Sequence, residues 1–227
     1  MNEELNKKLL EAVKTANSPE GLKAVEKLLK DGANANTQEP SGLTPLSILL
    51  LNNDPHGYGT AKAMNLLLDN GADPNIAIKC SDPRFDKYTP LFIAITTPNP
   101  NPALVETLLD KGANPNAPFR NANILMNIAA GQENTKILKL MIKAGANVNA
   151  TDPDGLTALM YAAFNKNCPE QMITELLKSG ANPNVLESRG ISAIDYIKAS
   201  ETLSDYLKKE LVLMSTLKSN NLINGNN

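Results

Sequence analysis

One histidine, His56, limits the chemistry open to this chain of 227 residues. Histidine titrates near neutrality, so it serves general acid–base, nucleophile-activating and metal-binding roles alike. His56 lies in Asp54-Pro55-His56-Gly57-Tyr58-Gly59, with no Ser, Cys or carboxylate constellation at a recognisable offset. A histidine-dependent triad is therefore disfavoured. Cys80 and Cys168 have neither CxxC spacing nor histidine partners, so a zinc ion lacks ligands. Asp152-Pro153-Asp154-Gly155 has the beginning of a calcium loop, but Ala163 stands at the twelfth position, where a bidentate Glu belongs. Gly57-Tyr58-Gly59 lacks the Gly-Lys-Ser/Thr of a phosphate-cradling loop, and Lys62 is flanked by Ala61 and Ala63. The expectation is no catalytic residue, no metal and no cofactor.

Recognition is the chemistry that remains. The segment Ile76-Ala77-Ile78-Lys79-Cys80-Ser81-Asp82-Pro83-Arg84-Phe85-Asp86-Lys87-Tyr88 gathers Lys79, Arg84, Phe85, Lys87 and Tyr88. Arg and Tyr are enriched at binding hot spots and Phe in interface cores, so this cluster is read as a protein-binding candidate. Nucleic acid fits poorly, since Lys+Arg number 22 against 24 Asp+Glu and aromatics are 4%. Such a chain offers neither a strong positive field nor a stacking platform. No apolar run approaches the length of about 18 residues that a membrane span needs. Met1-Asn2-Glu3-Glu4 opens an acidic amphipathic helix rather than an export signal. Two cysteines far apart suit a reducing compartment, so a cytoplasmic location is expected.

The elements that must position these residues repeat. Asp31-Gly32-Ala33-Asn34-Ala35-Asn36 returns as Asn70-Gly71-Ala72-Asp73-Pro74-Asn75, Lys111-Gly112-Ala113-Asn114-Pro115-Asn116, Ala144-Gly145-Ala146-Asn147-Val148-Asn149 and Ser179-Gly180-Ala181-Asn182-Pro183-Asn184, with 39, 41, 33 and 35 residues between glycines. Each copy follows an apolar helical run, where a left-handed residue ends the helix and Asn or Asp favours a turn. Twelve residues after the glycine in four copies, a second motif begins: Thr44-Pro45-Leu46, Ile124-Leu125-Met126, Thr157-Ala158-Leu159 and Ser192-Ala193-Ile194; in the remaining copy it is Thr89-Pro90-Leu91. Thr caps a helix and Pro suits its first residue. Each unit is a turn, a short helix lined with small residues, and a longer returning helix. The pattern resembles the ankyrin repeat, with its period of about 33 residues and T-P-L-H-x-A motif.

That resemblance implies an all-α solenoid of about six helix-turn-helix units with hairpin-like loops. Residues 1–218 read as a single domain, with an N-cap repeat over 1–31, repeats over 32–70, 71–111, 112–144 and 145–179, and a C-cap repeat over 180–218; residues 219–227 read as a disordered tail. Ser47, Phe92, Asn127, Met160 and Asp195 stand where the family has His, so the bonds that His makes between turns must be made otherwise or lost. The third copy is the most degenerate, with Ala122 where Gly is usual. Two insertions break the spacing. One places Leu51 to Gly59 in a long loop with Thr60 capping the next helix; the other lengthens the turn before Tyr88 by six residues into a projecting finger. The last helix is expected from about Glu201 to Leu217, with Leu203, Tyr206, Leu207, Leu211 and Met214 facing the preceding repeat.

In the family, turn tips and the short-helix face line a concave groove, and side chains there that the fold does not require confer function. Mapped by register, they include Tyr88 in the second repeat and Arg120, Asn121 and Asn123 in the third. Asp154, Leu156, Phe164 and Asn165 come next in the fourth, then Arg189 in the last. Phe164 stands out because the family places a variable polar residue there. Leu140 to Ala150 resembles the ankyrin context in which the second Asn is hydroxylated by host oxygenases, which makes Asn149 a candidate substrate residue. The leading reading is a non-enzymatic, monomeric module binding an unidentified protein through groove and finger, with no nucleic acid and no membrane. Similarity in composition to Asn-rich ankyrin proteins of intracellular bacteria gives a second reading, an effector translocated into a host cell. An enzyme with an unconventional site is the third.

Overall fold

The computed structural model describes residues 2–52, 58–79, 87–117, 134–168, 170–205 and 207–209. These residues fall in two compact units, Met1–Phe119 and Arg120–Asn227. The first holds α1 (Asn2–Ala12), a 3-10 turn (Val13–Thr15), α2 (Pro19–Lys30), α3 (Pro45–Leu51), α4 (Tyr58–Asp69), α5 (Pro90–Thr96) and α6 (Pro102–Asp110). The second holds α7 (Thr135–Lys143), α8 (Ala158–Phe164), α9 (Glu170–Lys178) and α10 (Ala193–Ala199). Among the described residues the only β-type pairings are two isolated bridges, Thr151 with Thr157 and Leu186 with Ser192.

Local chemistry starts and stops each helix. Thr44, Thr89, Thr157 and Ser192 take extended backbone, and their hydroxyls accept the N–H of Ser47, Phe92, Met160 and Asp195. Each bond satisfies a donor that an uncapped helix would leave orphaned. Pro45 and Pro90 occupy the first helical position, where a missing N–H is harmless. At the far end, Gly32, Gly71, Gly112, Gly145 and Gly180 adopt φ between 87° and 94°. The next alanine N–H then reaches back to close the last turn, as Ala33 does to Leu28 and Ala181 to Leu176. This is the glycine-terminated helix stop that the repeated motif predicts.

The short helices α3, α5 and α8 are buried on nearly every side. In the first unit Leu46, Ile48, Leu49 and Leu50 of α3 and Leu91, Phe92, Ile93 and Ile95 of α5 form the core, with α3 packed against α4 and α5. In the second unit Leu159, Met160, Ala162 and Ala163 of α8 do the same against α9 and α10. The returning helices bury one stripe, such as Met64, Leu67 and Leu68 on α4 and Met172, Ile173 and Leu176 on α9. On α8 the buried Ala158, Ala162 and Ala163 let neighbouring helices approach closely, as native packing density requires.

The residues that replace the family histidine serve other contacts. Ser47 and Asp195 close capping boxes with Thr44 and Ser192. Phe92 stacks edge-on to Tyr88 with centroids 4.7 Å apart, and Met160 is fully buried. Asn127 lies outside the described residues.

Three expectations need correction. Thr60 is not a cap: α4 begins at Tyr58, Thr60 is buried within its first turn, and Gly59 fits against the backbone of Ala16 and Asn17, where a Cβ would lie 2.5 Å from the Asn17 Cα. The long loop expected over Leu51 to Gly59 does not include its end residues, because Leu51 remains in α3 and Tyr58 and Gly59 are helical; His56 is outside the described residues. The last helix does not begin at Glu201. Residues 201–203 bend, and helical backbone starts at Asp205 because Ser204 caps it, accepting the Leu207 N–H while the Glu170 carboxylate takes the Ser204 N–H and hydroxyl. Leu203 and Leu207 are buried as expected; Tyr206, Leu211, Met214 and residues 219–227 lie outside the described residues.

Candidate functional site

Within each unit, successive repeat-ending turns are joined by asparagine side chains. In the first unit the Asn36 amide donates to the Gly71 carbonyl at 2.7 Å and accepts the Asp73 N–H at 2.7 Å; Asn75 does the same with Gly112 at 2.9 Å and Asn114 at 2.8 Å. In the second unit Asn149 bridges Gly180 at 3.1 Å and Asn182 at 2.7 Å. The preceding residue of each motif locks its own turn, as Asn34 accepts the Asn36 N–H and Asn147 that of Asn149. Asn6 on α1 opens the ladder by accepting the Asn34 N–H at 2.7 Å, so a helix residue stands in for a missing turn. Asn149, the candidate hydroxylation residue, is thus exposed yet committed at both ends of its amide.

Beyond the ladder lies a second layer of turns with one recurring geometry. Glu39-Pro40-Ser41-Gly42-Leu43, Asp152-Pro153-Asp154-Gly155-Leu156 and Glu187-Ser188-Arg189-Gly190-Ile191 each close through the first residue N–H bonding the fifth carbonyl and the glycine N–H bonding the first carbonyl. Gly42, Gly155 and Gly190 have φ of 81°, 82° and 77°. The acid that opens each turn also braces it. Asp152 accepts the N–H groups of Asp154 and Leu156 and the hydroxyl of Tyr161. Burial pushes the Tyr161 hydroxyl pKa up, and its bond to Asp152 pushes it further in the same direction. Glu187 is 5% exposed and accepts the N–H groups of Arg189 and Ile191 and the Arg189 Nε. Burial alone would raise its pKa, but those bonds to the charged form hold it below the ordinary carboxylate value. Adjacent turns also touch, since the Ser188 N–H donates to the Asp154 carbonyl at 2.8 Å.

Aromatic rings define the open face of the second unit. Phe164, at the end of α8, is 45% exposed although its helix is otherwise nearly all core. Its ring leans on Tyr161 at 5.2 Å and meets Tyr196 of α10 edge-on at 5.5 Å, and the Arg189 guanidinium donates to the Tyr196 hydroxyl. Such ring pairs add about 0.5–1.5 kcal/mol each beyond area burial, so the row is a preorganised surface rather than a loose side chain. Beside it opens a cleft of about 320 Å³ floored by Ala163, Phe164 and Tyr196 and rimmed by Lys166, Ser200 and Glu201.

The residues that flank 80–86, the segment expected as a finger, are bonded to one another. Ile78 N–H bonds the Tyr88 carbonyl at 2.9 Å, and Lys87 N–H bonds the Ile78 carbonyl at 2.7 Å. Lys87 occupies the place that Gly42, Gly155 and Gly190 hold elsewhere, two residues before the helix cap. It is the one non-glycine residue with positive φ among those described, at 67°. For a residue with a Cβ that conformation costs about 1–2 kcal/mol. Lys79 and Lys87 are exposed, whereas Tyr88 is half-buried against Phe92.

Of the sequence-predicted residues, Asp154, Leu156, Phe164, Asn165 and Arg189 fall in the second unit, where Tyr196 links Phe164 to Arg189. Leu156 is half-buried beneath its turn, and Asn165 caps α8 while accepting the Asn167 N–H. Lys79, Lys87 and Tyr88 meet at the finger base; Arg84, Phe85, Arg120, Asn121 and Asn123 lie outside the described residues. Sequence reasoning missed Tyr161 and Tyr196. The signal was there: both stand four residues after their helix caps, Thr157 and Ser192. Among the described residues no group of three or more His, Cys, Asp or Glu is placed to share a metal ion, and no helix is long and apolar enough to cross a membrane.

Turn, short helix and returning helix, stacked and laddered by asparagine, define an all-α repeat protein of the class whose surfaces bind other proteins. The chain belongs to the ankyrin-repeat family: the family model for ankyrin repeats in three copies matches residues 9–119 and 99–187. The curated relatives include ankyrin repeat and SOCS box protein 6 of Homo sapiens and of Pongo abelii, each 32% identical over 149 residues, or 63% of this chain. The chain spans about a third of the length of those relatives, 32% in each case. Among solved structures, the ankyrin repeat protein EF0377 aligns with a TM-score of 0.72 at 23% identity, covering 91% of this chain and 97% of that one. An ankyrin repeat domain from Acinetobacter baumannii aligns at 0.72 and 22%, covering 90% and 96%. A chain from the complex of the Bdellovibrio bacteriovorus predatory endopeptidase Bd0816 with immunity protein Bd3460 aligns at 0.67 and 22%, covering 91% and 97%. These likenesses establish the all-α ankyrin-repeat solenoid, a fold typically without enzymatic activity.

Proposed function

We propose that the chain is a non-enzymatic protein-binding module with two contact regions. One is the aromatic face of the second unit, centred on Phe164 with Asn165, Arg189, Asp154 and Leu156 around it. The other is the first-unit finger with Lys79, Arg84, Phe85, Lys87 and Tyr88; Arg120, Asn121 and Asn123 are further candidates by register within the sequence of the second unit. The observation that carries this reading is the exposure of Phe164: a large apolar ring held half in solvent by two tyrosines serves no packing need of its own helix. Buried aromatic and Arg anchors supply most of the energy at protein interfaces.

The engagement of the acidic side chains favours binding over catalysis. Glu187 and Asp195 spend their acceptors on a turn and a helix cap, and the hydrogen bonds from Ser192 hold the Asp195 pKa low. Neither is poised to exchange a proton near neutrality. The test is capture of partners by the full chain from cell lysate with quantitative mass spectrometry. Proteins retained by wild type and reduced at least tenfold by F164A, but kept by the surface variant K23A, support the reading. A retained set identical for F164A and wild type removes the second-unit face from it.

A further inference from the structure

We propose that Lys79 and Lys87 form a cationic clamp at the neck of the finger that selects an acidic segment of a protein partner. The proposal rests on the binding-module reading above and names the chemistry of its partner. Three turns of the same geometry place glycine two residues before the helix cap, at φ 77° to 82°, and the fourth places Lys87 there at 67°. A long cationic side chain is the wrong residue for that backbone, which glycine occupies without strain. Strain that persists where a smaller residue would relieve it points to a use for the side chain.

Charge placement indicates that use. Lys79 and Lys87 flank the same pair of backbone bonds at Ile78, so two exposed lysines are brought to one neck. Like charges brought to one place repel, which the fold alone has no reason to assemble. Among the described residues neither ammonium has an ion-pair partner, a state shared with other surface lysines such as Lys23 and Lys136, so it is their placement at one neck that sets these two apart. Two exposed cations at a neck closed by two backbone bonds complement carboxylates on an extended segment, with half-buried Tyr88 as the adjoining aromatic contact. A protein segment fits better than nucleic acid, because the chain carries a formal net charge of −2 and few aromatic residues to stack bases.

The test is panning of a random twelve-residue phage-displayed peptide library on the immobilised full chain at low salt, and then affinity measurement of the selected peptides. The expected peptides are rich in Asp and Glu, lose affinity steeply as salt rises, and bind K79A or K87G at least tenfold more weakly than wild type. K87G relieves the left-handed strain, so it melts no lower than wild type and its loss of binding is not unfolding. Acidic peptides that bind K87G as tightly as wild type overturn the proposal, as does displacement of those peptides by single-stranded RNA at equal concentration. Peptides without acidic residues whose binding falls with F164A overturn the clamp and leave the module reading standing. A library that yields no peptide bound above background overturns both.

Discussion

The turn at Lys87 and the turns at Gly42, Gly155 and Gly190 reach one geometry by different routes. In the glycine turns the backbone is relaxed, and individuality comes from side chains placed on it: Asp154, Arg189 and the tyrosines that carry Phe164. In the Lys87 turn the backbone itself departs, with an insertion closed at a strained residue. The second unit therefore writes its surface on a regular frame, and the first alters the frame. A relaxed turn tolerates exchange of its tip residues; a strained one is held by its surroundings, and in both cases the helix cap two residues on is unchanged. Binding surface in this chain is variable where the cap-to-stop register is indifferent to it.

The contrast between turns is tested most severely at Gly42. Its missing Cβ would lie 2.3 Å from the Lys79 carbonyl oxygen, while at Gly190 nothing lies within 4 Å. Gly42→Ala should cost about 2–4 kcal/mol by urea denaturation, combining left-handed strain with overpacking. Gly190→Ala should cost about 1–2 kcal/mol, the strain alone. Equal costs at the two sites would mean that the Gly42 turn does not press on the backbone of the next repeat.

Next in size are the ladder residues. Asn75→Ala and Asn149→Ala should each lose about 1–2 kcal/mol, since two hydrogen bonds go and polar groups of the next turn lose their partners. A loss in one unit alone would show that the ladder matters unequally. Lys87→Gly should stabilise by about 0.5–1 kcal/mol, a rise in thermal midpoint that glycine turns cannot give. The smallest effect is a pH dependence. Glu187 has a folded-state pKa below its ordinary 4.5, so the stability it contributes is present above that value and is lost as pH falls through the folded one. Glu187→Gln should flatten that acid limb of the stability curve, measured by denaturation at graded pH.

Legibility tracked the range of the interaction. Helix caps and stops depend on neighbours within five residues, so Thr44, Thr89, Thr157 and Ser192 and the five glycines could be read directly. Thr60 misled because its cap-like type was outweighed by Gly59 fitting against Asn17, a contact more than forty positions away that no local pattern carries. The asparagine ladder was visible as repetition, but its bonds span 28 to 39 residues, and the role of Asn6 on a helix had no motif to announce it. The start of the last helix was hidden for the same reason, since Glu170 fixes it from 34 positions upstream. Phe164 was legible as an anomaly of register; its tyrosine neighbours were legible only as a pair, each unremarkable alone.

The neck at Ile78 carries a practical corollary. Two backbone bonds clamp the chain on either side of residues 80–86, and the helix cap at Thr89 comes at once. Sequence inserted between those bonds enters and leaves at fixed positions, so its length is uncoupled from the register of the repeats around it. The site is a splice port: a foreign epitope, a protease site or a fluorescent-label tag placed there should be displayed at a neck that the host fold already holds shut.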